Sequence, residues 1–221
     1  LWRFQMSYGG VNSGVVIHKD TVIAVHGKEN TDSSTIGRMV AIRKPQKLPS
    51  LGEEIIILGR ESEVWRNNAM EAFTSTPVYK GNRLYTTIKR GELICSDAEN
   101  GEEIWTLKLA PDQVHASPTW ADGKLYVPMF DGKVSVVKDN GEEGEIISQV
   151  QLEGACLAAP SVAHGRVFVQ SKKRLYCFGS DQVAPAFVSQ QTASPSSSTQ
   201  AVALQVIPVE FSLKSGNSLA F

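Results

Sequence analysis

Four histidines, three cysteines and several paired glutamates are the residues of this sequence that could carry chemistry. A histidine acts as a general base or a metal ligand only when a neighbour orients it, so its surroundings decide its role. His18 and His164 stand in His18-Lys19-Asp20 and His164-Gly165-Arg166 and read as solvated turn residues. His26 ends a strand-like run beside a long polar loop, and His115 opens another in Val114-His115-Ala116. Both could face the central channel or the loop face, where a ligand would bind. Cys95, Cys156 and Cys177 have no Cys-x-x-Cys or Cys/His spacing, so no zinc or other metal site is expected. Cys95 and Cys177 follow Leu-Ile and Leu-Tyr and read as small buried hydrophobes. Glu102-Glu103, Glu142-Glu143 and Glu145 adjoin Gly101, Gly141 and Gly144, which suits solvated hairpins better than a catalytic carboxylate pair. No glycine-rich phosphate loop and no Ser/His/Asp or Cys/His set is present, so no catalytic residue is assigned.

The charge balance narrows the partners. With 22 Lys and Arg against 23 Asp and Glu, the net charge of −1 leaves no surplus to neutralise phosphates, and a nucleic-acid binder is excluded. Lys172-Lys173-Arg174 is too short a run to change that. At 42% hydrophobic and 20% charged residues, the composition is that of a globular chain with a sizeable core. No apolar run approaches the roughly 20 residues of a membrane-spanning helix.

The elements that must position these side chains are short and repeated. Thr76-Pro77-Val78-Tyr79, Ser117-Pro118-Thr119-Trp120 and Ala159-Pro160-Ser161-Val162 each precede a Gly-containing turn and an apolar run, at a period of roughly 40 residues. A more distant and longer unit begins at Asn12-Ser13-Gly14. Within a unit, four Val-, Ile-, Leu-, Tyr- and Thr-rich runs are separated by Gly, Asn and Asp turns, and no helical period persists. In the second unit these are residues 77–79, 84–88, 93–96 and 103–109. The fold class is therefore all-β: β-propeller blades, each a four-stranded antiparallel repeat.

The second unit closes on Cys95-Ser96-Asp97-Ala98-Glu99-Asn100-Gly101-Glu102-Glu103-Ile104-Trp105. This resembles the tryptophan-docking motif of pyrroloquinoline-quinone-type (PQQ) propeller repeats, with Asp97, Gly101 and Trp105 in register. The physics suits it independently: Asp97 caps a turn, Gly101 takes a left-handed conformation, and Trp105 is a flat apolar plate for the next blade. Trp65 and Trp2 stand at the corresponding place in their units. The third unit keeps the acid as Asp139, with Ile147 near the Trp position.

The resemblance extends to the propeller lipoprotein of the outer-membrane β-barrel assembly machinery and to quinoprotein dehydrogenases. The first implies a non-catalytic binding or scaffold module of an exported bacterial multidomain protein, in the periplasm, at the outer membrane or on the cell surface, with a protein or cell-envelope polymer as partner and no cofactor. The second implies a PQQ- and calcium-dependent alcohol or sugar dehydrogenase whose catalytic blades would lie outside this sequence. The sequence has neither that family's adjacent cysteine pair nor a match to its aspartate or calcium ligands, which favours the non-enzymatic reading. Propeller insertions go to the faces, and the first unit carries two, at 26–35 and 44–60. The candidate partner-binding residues are accordingly His26, Lys28, Glu29, Asn30, Asp32 and His115.

Three regions are expected: propeller blades at 1–180, a Ser/Thr/Gln/Pro linker at 181–201, and the start of a bacterial immunoglobulin-like β domain at 202–221. The last blade shows three strands, and its fourth is expected from blades preceding this chain, or else from residues 1–6. With Leu as first residue and a strand-like stretch at the end, the sequence reads as a partial ring truncated at both ends.

Overall fold

Both faces of a blade's central strands are covered by neighbouring blades, and such strands read as continuous apolar runs rather than as alternation. A computed structural model of the chain describes residues 1–47, 50, 53–111 and 115–179, with the backbone of 206–207. Within them every regular element is a strand, apart from one 3-10 turn at Arg60–Ser62. After β1 (Trp2–Phe4), the first blade comprises β2 (Val16–His18), β3 (Thr21–Glu29), β4 (Ile36–Arg43) and, beyond the short β5 (Ile56–Leu58), β6 (Glu63–Asn68). The second comprises β7 (Val78–Lys80), β8 (Arg83–Ile88), β9 (Glu92–Asp97) and β10 (Glu103–Lys108). The third comprises β11 (Thr119–Ala121), β12 (Lys124–Pro128), β13 (Lys133–Asp139) and β14 (Gly144–Gln151). The fourth comprises β15 (Ser161–Ala163), β16 (Arg166–Gln170), β17 (Leu175–Gly179) and β18 (Val206–Ile207).

Each blade is antiparallel, with its strands side by side in chain order. Leu84 to Ile88 on β8 and Val134 to Val137 on β13 are buried without interruption, as sandwiched strands require. Three cores fill the spaces between blades. Ile23, Met39 and Trp65 of the first meet Leu84 and Ile94 of the second. Tyr85, Leu93 and Trp105 meet Leu125 and Val137. Val134 and Leu152 meet Val167 and Phe178.

Two placements differ from expectation. The fourth strand of the last blade is β18, pairing Cys177 with Ile207 and Phe178 with Val206, so it comes from beyond the Ser-rich segment and not from residues 1–6. Those residues instead form β1, which pairs in parallel with β5 from the 44–60 insertion. The pair covers the outer face of the first blade, where Phe4, Met6 and Leu58 pack on Ala24, Val40 and Ile42. The linker at 181–201 and the immunoglobulin-like start at 202–221 lie outside the described residues, apart from the backbone of β18.

Blade-to-blade docking rests on a bulge. Opposite Ala41, Cys95 and Val137 the outer strands β6, β10 and β14 shift register by one residue, which re-aims the side chain at that point. Trp65 and Trp105 occupy the site in the first two blades; in the third the register puts Ile146 there rather than Ile147. Ile146 is exposed, and the third blade lacks the indole plate.

Gly101 and Gly81 separate two roles of glycine. Both hold positive φ, +74° and +57°, but a Cβ at Gly101 would overlap the Trp65 ring, whereas one at Gly81 meets nothing. Gly81→Ala should therefore cost about 1 kcal/mol, the left-handed penalty alone. Gly101→Ala should cost about 3 kcal/mol or more, because the docked indole must also move. Urea denaturation of the two variants measures this, and equal costs would contradict the docking role.

Candidate functional site

Strand direction sorts the connections onto two ends. Links between second and third strands, and links from one blade's fourth strand to the next blade's first, lie at one end, the loop face; the remaining hairpins lie at the other. The inner strands are tied in sequence beneath this face. The Gly14 N–H donates to Thr76 Oγ1 at 2.7 Å, the Thr76 N–H to Ser117 Oγ at 2.8 Å, and Thr119 Oγ1 to the Pro160 carbonyl at 2.8 Å. The hydroxyl residue preceding proline in the second and third repeats thus accepts a hydrogen bond from the blade before it.

The far end carries the docking motif. Asp97 accepts the Glu99 N–H at 2.6 Å and shapes its hairpin. Trp65 Nε1 donates to the Ala98 carbonyl at 3.1 Å. One blade on, Asp139 accepts from Trp105 Nε1 at 3.1 Å, the Tyr85 hydroxyl at 2.6 Å, Arg83 Nη1 at 2.9 Å and the Gly141 N–H at 2.8 Å. Burial alone would raise the Asp139 carboxyl, but these donations and the Arg83 charge hold it below its ordinary value. Burial, followed by the bond to Asp139, pushes the Tyr85 hydroxyl up. Trp2 has no such place: it is half-buried on β1 and lines a groove of about 990 Å³ between the β1–β5 pair and the first blade.

The six candidate partner residues separate into two groups. His26 is fully buried, with burial and then the Arg38 charge lowering its pKa, so it offers no surface. Asn30 is buried too, its amide donating to the Thr35 carbonyl at 2.6 Å and the Gly37 carbonyl at 3.3 Å. Asp32 is engaged by Arg38 at 2.5 Å and Arg66 at 2.6 Å, and Arg38 Nε reaches Asn68 at 2.8 Å, which pins the loop to β6. Glu29 is exposed, its carbonyl accepting the Tyr8 N–H at 3.1 Å. Only Lys28 and His115 point into a shared surface, with Phe73 between them: Lys28 Nζ lies 5.8 Å from the Phe73 ring and His115 lies 6.3 Å from it.

His18 is not a solvated turn residue. It is buried at 3% exposure in the crevice between the first two blades, with Nδ1 3.0 Å from the Tyr79 hydroxyl and Nε2 3.3 Å from Glu99. Its turn faces the next blade, which periodicity along one chain segment does not reveal. No motif in the sequence marks Phe73, Lys89 and Phe130 as loop-face residues, and Lys172 is visible there only as part of a short basic turn. The available signal was positional: Phe73 and His115 each precede their repeat's proline by a few residues, and the others sit in the second-to-third hairpins. Cys95, Cys156 and Cys177 are buried and free. Burial pushes the Cys95 thiol up to about 12 and that of Cys156 up to about 11, which suits packing rather than nucleophilic chemistry.

The Asp32 cluster has a pH signature. Hydrogen bonds from Arg66 and then Arg38 lower the Asp32 carboxyl to about 2 from 3.8. The lowered value means that its stabilisation is present above the unfolded pKa of about 4 and is lost as pH falls through about 2. Asp32→Asn should therefore destabilise the chain at pH 7, and the gap to wild type should narrow below about pH 4. Denaturation midpoints across this range measure it; a gap independent of pH would contradict the assignment.

Among the described residues no helix is long and apolar enough to cross a membrane. Residues 52–143 match the family model of outer membrane protein assembly factor BamB. BamB from Moraxella catarrhalis superposes with a TM-score of 0.55 at 12% identity, over 76% of this chain and 46% of that one. The computationally designed Ika8 protein gives 0.56 at 10% identity, over 80% and 48%. The WD40 domain of Toxoplasma gondii coronin gives 0.54 at 16% identity, over 79% and 44%. The chain thus spans about half the length of these structures, and the likeness at such identities is one of fold. No curated protein sequence matches it. The chain is similar to BamB in its PQQ-type propeller repeats.

Proposed function

We propose that this chain is a non-catalytic β-propeller module that binds a partner protein through its loop face, as part of an exported protein of the bacterial cell envelope. The observation that carries the reading is the convergence of links from all four blades on one end, where Lys28, Phe73, Lys89, His115, Phe130 and Lys172 stand together on a rigid sheet scaffold. Loops held by a packed frame present a pre-shaped surface, which lowers the ordering cost of association. The envelope location rests on the BamB match, and on this reading no quinone or calcium is required.

The test places a photo-crosslinking amino acid at Arg90 or Lys172 on the loop face, and at Glu142 at the opposite end. With a Gram-negative envelope extract, the loop-face positions should give a discrete protein adduct that Glu142 does not. The adduct's partner, once purified, should bind the chain in solution. Equal adducts from both ends would contradict the reading, as would dye reduction by the chain that depends on added PQQ and calcium.

A further inference from the structure

Six side chains, Lys28 near the end of β3 and five from five different links, form one continuous row across the loop face. Lys28 Nζ lies 5.8 Å and Lys89 Nζ 5.7 Å from the Phe73 ring centre. Phe73 is 6.3 Å from the His115 ring, His115 is 5.4 Å from Phe130, and Lys172 Nζ is 5.8 Å from Phe130. The row crosses from the first blade to the fourth. It is anchored in the middle, where Thr74 Oγ1 donates to the His115 carbonyl at 2.8 Å.

The chemistry selects an occupant. The rings sit beneath ammonium groups, so their faces are already engaged by cations and are poorly placed to stack on a sugar. Lys89 is paired with Glu71, but among the described residues Lys28 and Lys172 make no ion pair. These cations lack carboxylates, and the rings hold them on an apolar base where a carboxylate is less screened than in open water. The opposite end carries Glu99, Glu102, Glu103, Glu142, Glu143 and Glu145. The loop face has carboxylates of its own, but Glu71 is paired with Lys89, Asp131 lies 3.9 Å from Lys133, and Glu153 is paired with Lys173 and Arg174. This leaves Lys28 and Lys172 to meet an acidic segment short enough not to reach the far end.

We propose that this row is the docking site for an extended, Asp- and Glu-rich segment of the partner protein, an inference that rests on the loop-face function above. At ~3.4 Å per residue the row accommodates at most about seven residues of extended chain.

The probe is a fluorescein-labelled peptide of about ten residues alternating Glu and Thr, titrated by anisotropy into the whole chain. Controls are the same peptide with Gln for Glu and a heparin fragment of similar length. The Glu peptide should bind, more weakly as salt rises, and the Gln peptide at least about tenfold less well. The triple variant Lys28→Gln, Lys89→Gln, Lys172→Gln should lose about tenfold, each single variant about two- to threefold, and Lys138→Gln at the opposite end less than twofold. Circular dichroism establishes that each variant is folded, and the single variants carry the test if the triple one is not. Binding that survives the lysine changes, or that ignores Glu against Gln, overturns the row as the site. Tighter binding of heparin than of the Glu peptide overturns the assignment of a peptide. If these results come with loop-face crosslinks intact, only this inference fails; if the crosslinks are also lost, the function reading fails with it.

Discussion

An indole laid against the hairpin of the following blade is the interaction on which the stacking of the first three blades depends. A single blade has two apolar faces and cannot bury either alone, so the sheets are stable only when stacked. Trp65 on the 97–101 hairpin and Trp105 on Asp139 fix how far and at what angle one sheet meets the next. The bulge that aims each indole, the glycine that lets it approach, Gly101 for Trp65 and Gly144 for Trp105, and the acceptor of its N–H, the Ala98 carbonyl for Trp65 and Asp139 for Trp105, form one device. Asp139 is its most connected point: a half-buried carboxylate holding three side chains of the second blade, Arg83, Tyr85 and Trp105. Removing one partner of such a set leaves the others unsatisfied, so the set acts as a unit.

The loop face inherits its order from this docking. Phe73 and His115 lie in the links between blades, and their separation is set by the inter-blade distance. Lys28, Lys89, Phe130 and Lys172 lie at hairpins within blades, and their heights are set by strand register. A row of rings and cations therefore forms although no two of its members are near in sequence. The long loop beside it is tied to the first blade by Asn30 and Asp32, while its tip, Ser33 to Thr35, stays exposed.

What was legible in the sequence follows the same division. Pro77, Pro118 and Pro160 recur once in each of the last three blades, and the Asp97, Gly101 and Trp105 spacing encodes a hairpin and the strand after it, so blades and strands could be read from local pattern. Beyond the Trp65 and Trp105 plates, contacts between blades could not. His18 looks like a turn residue until Tyr79 and Glu99 of the second blade close over it. His26 looks like the start of a surface loop, yet it belongs to the buried end of β3. Residues 2–4 and 56–58 pair in parallel across a long interval, a register that no turn specifies. Of the candidate site, Lys28 was legible as part of the first unit's insertion and His115 as the opening of an inner strand, while Phe73 and Phe130 look in sequence like ordinary core hydrophobes.

The most direct test of this account is a double-mutant cycle on Trp105→Phe and Asp139→Asn, read by equilibrium denaturation. If the indole and the carboxylate form one docking unit, the two changes should couple by more than about 1 kcal/mol, because either one alone already breaks the shared bond. Additivity within about 0.5 kcal/mol would mean that the blades are held by apolar contact alone, and would contradict the account.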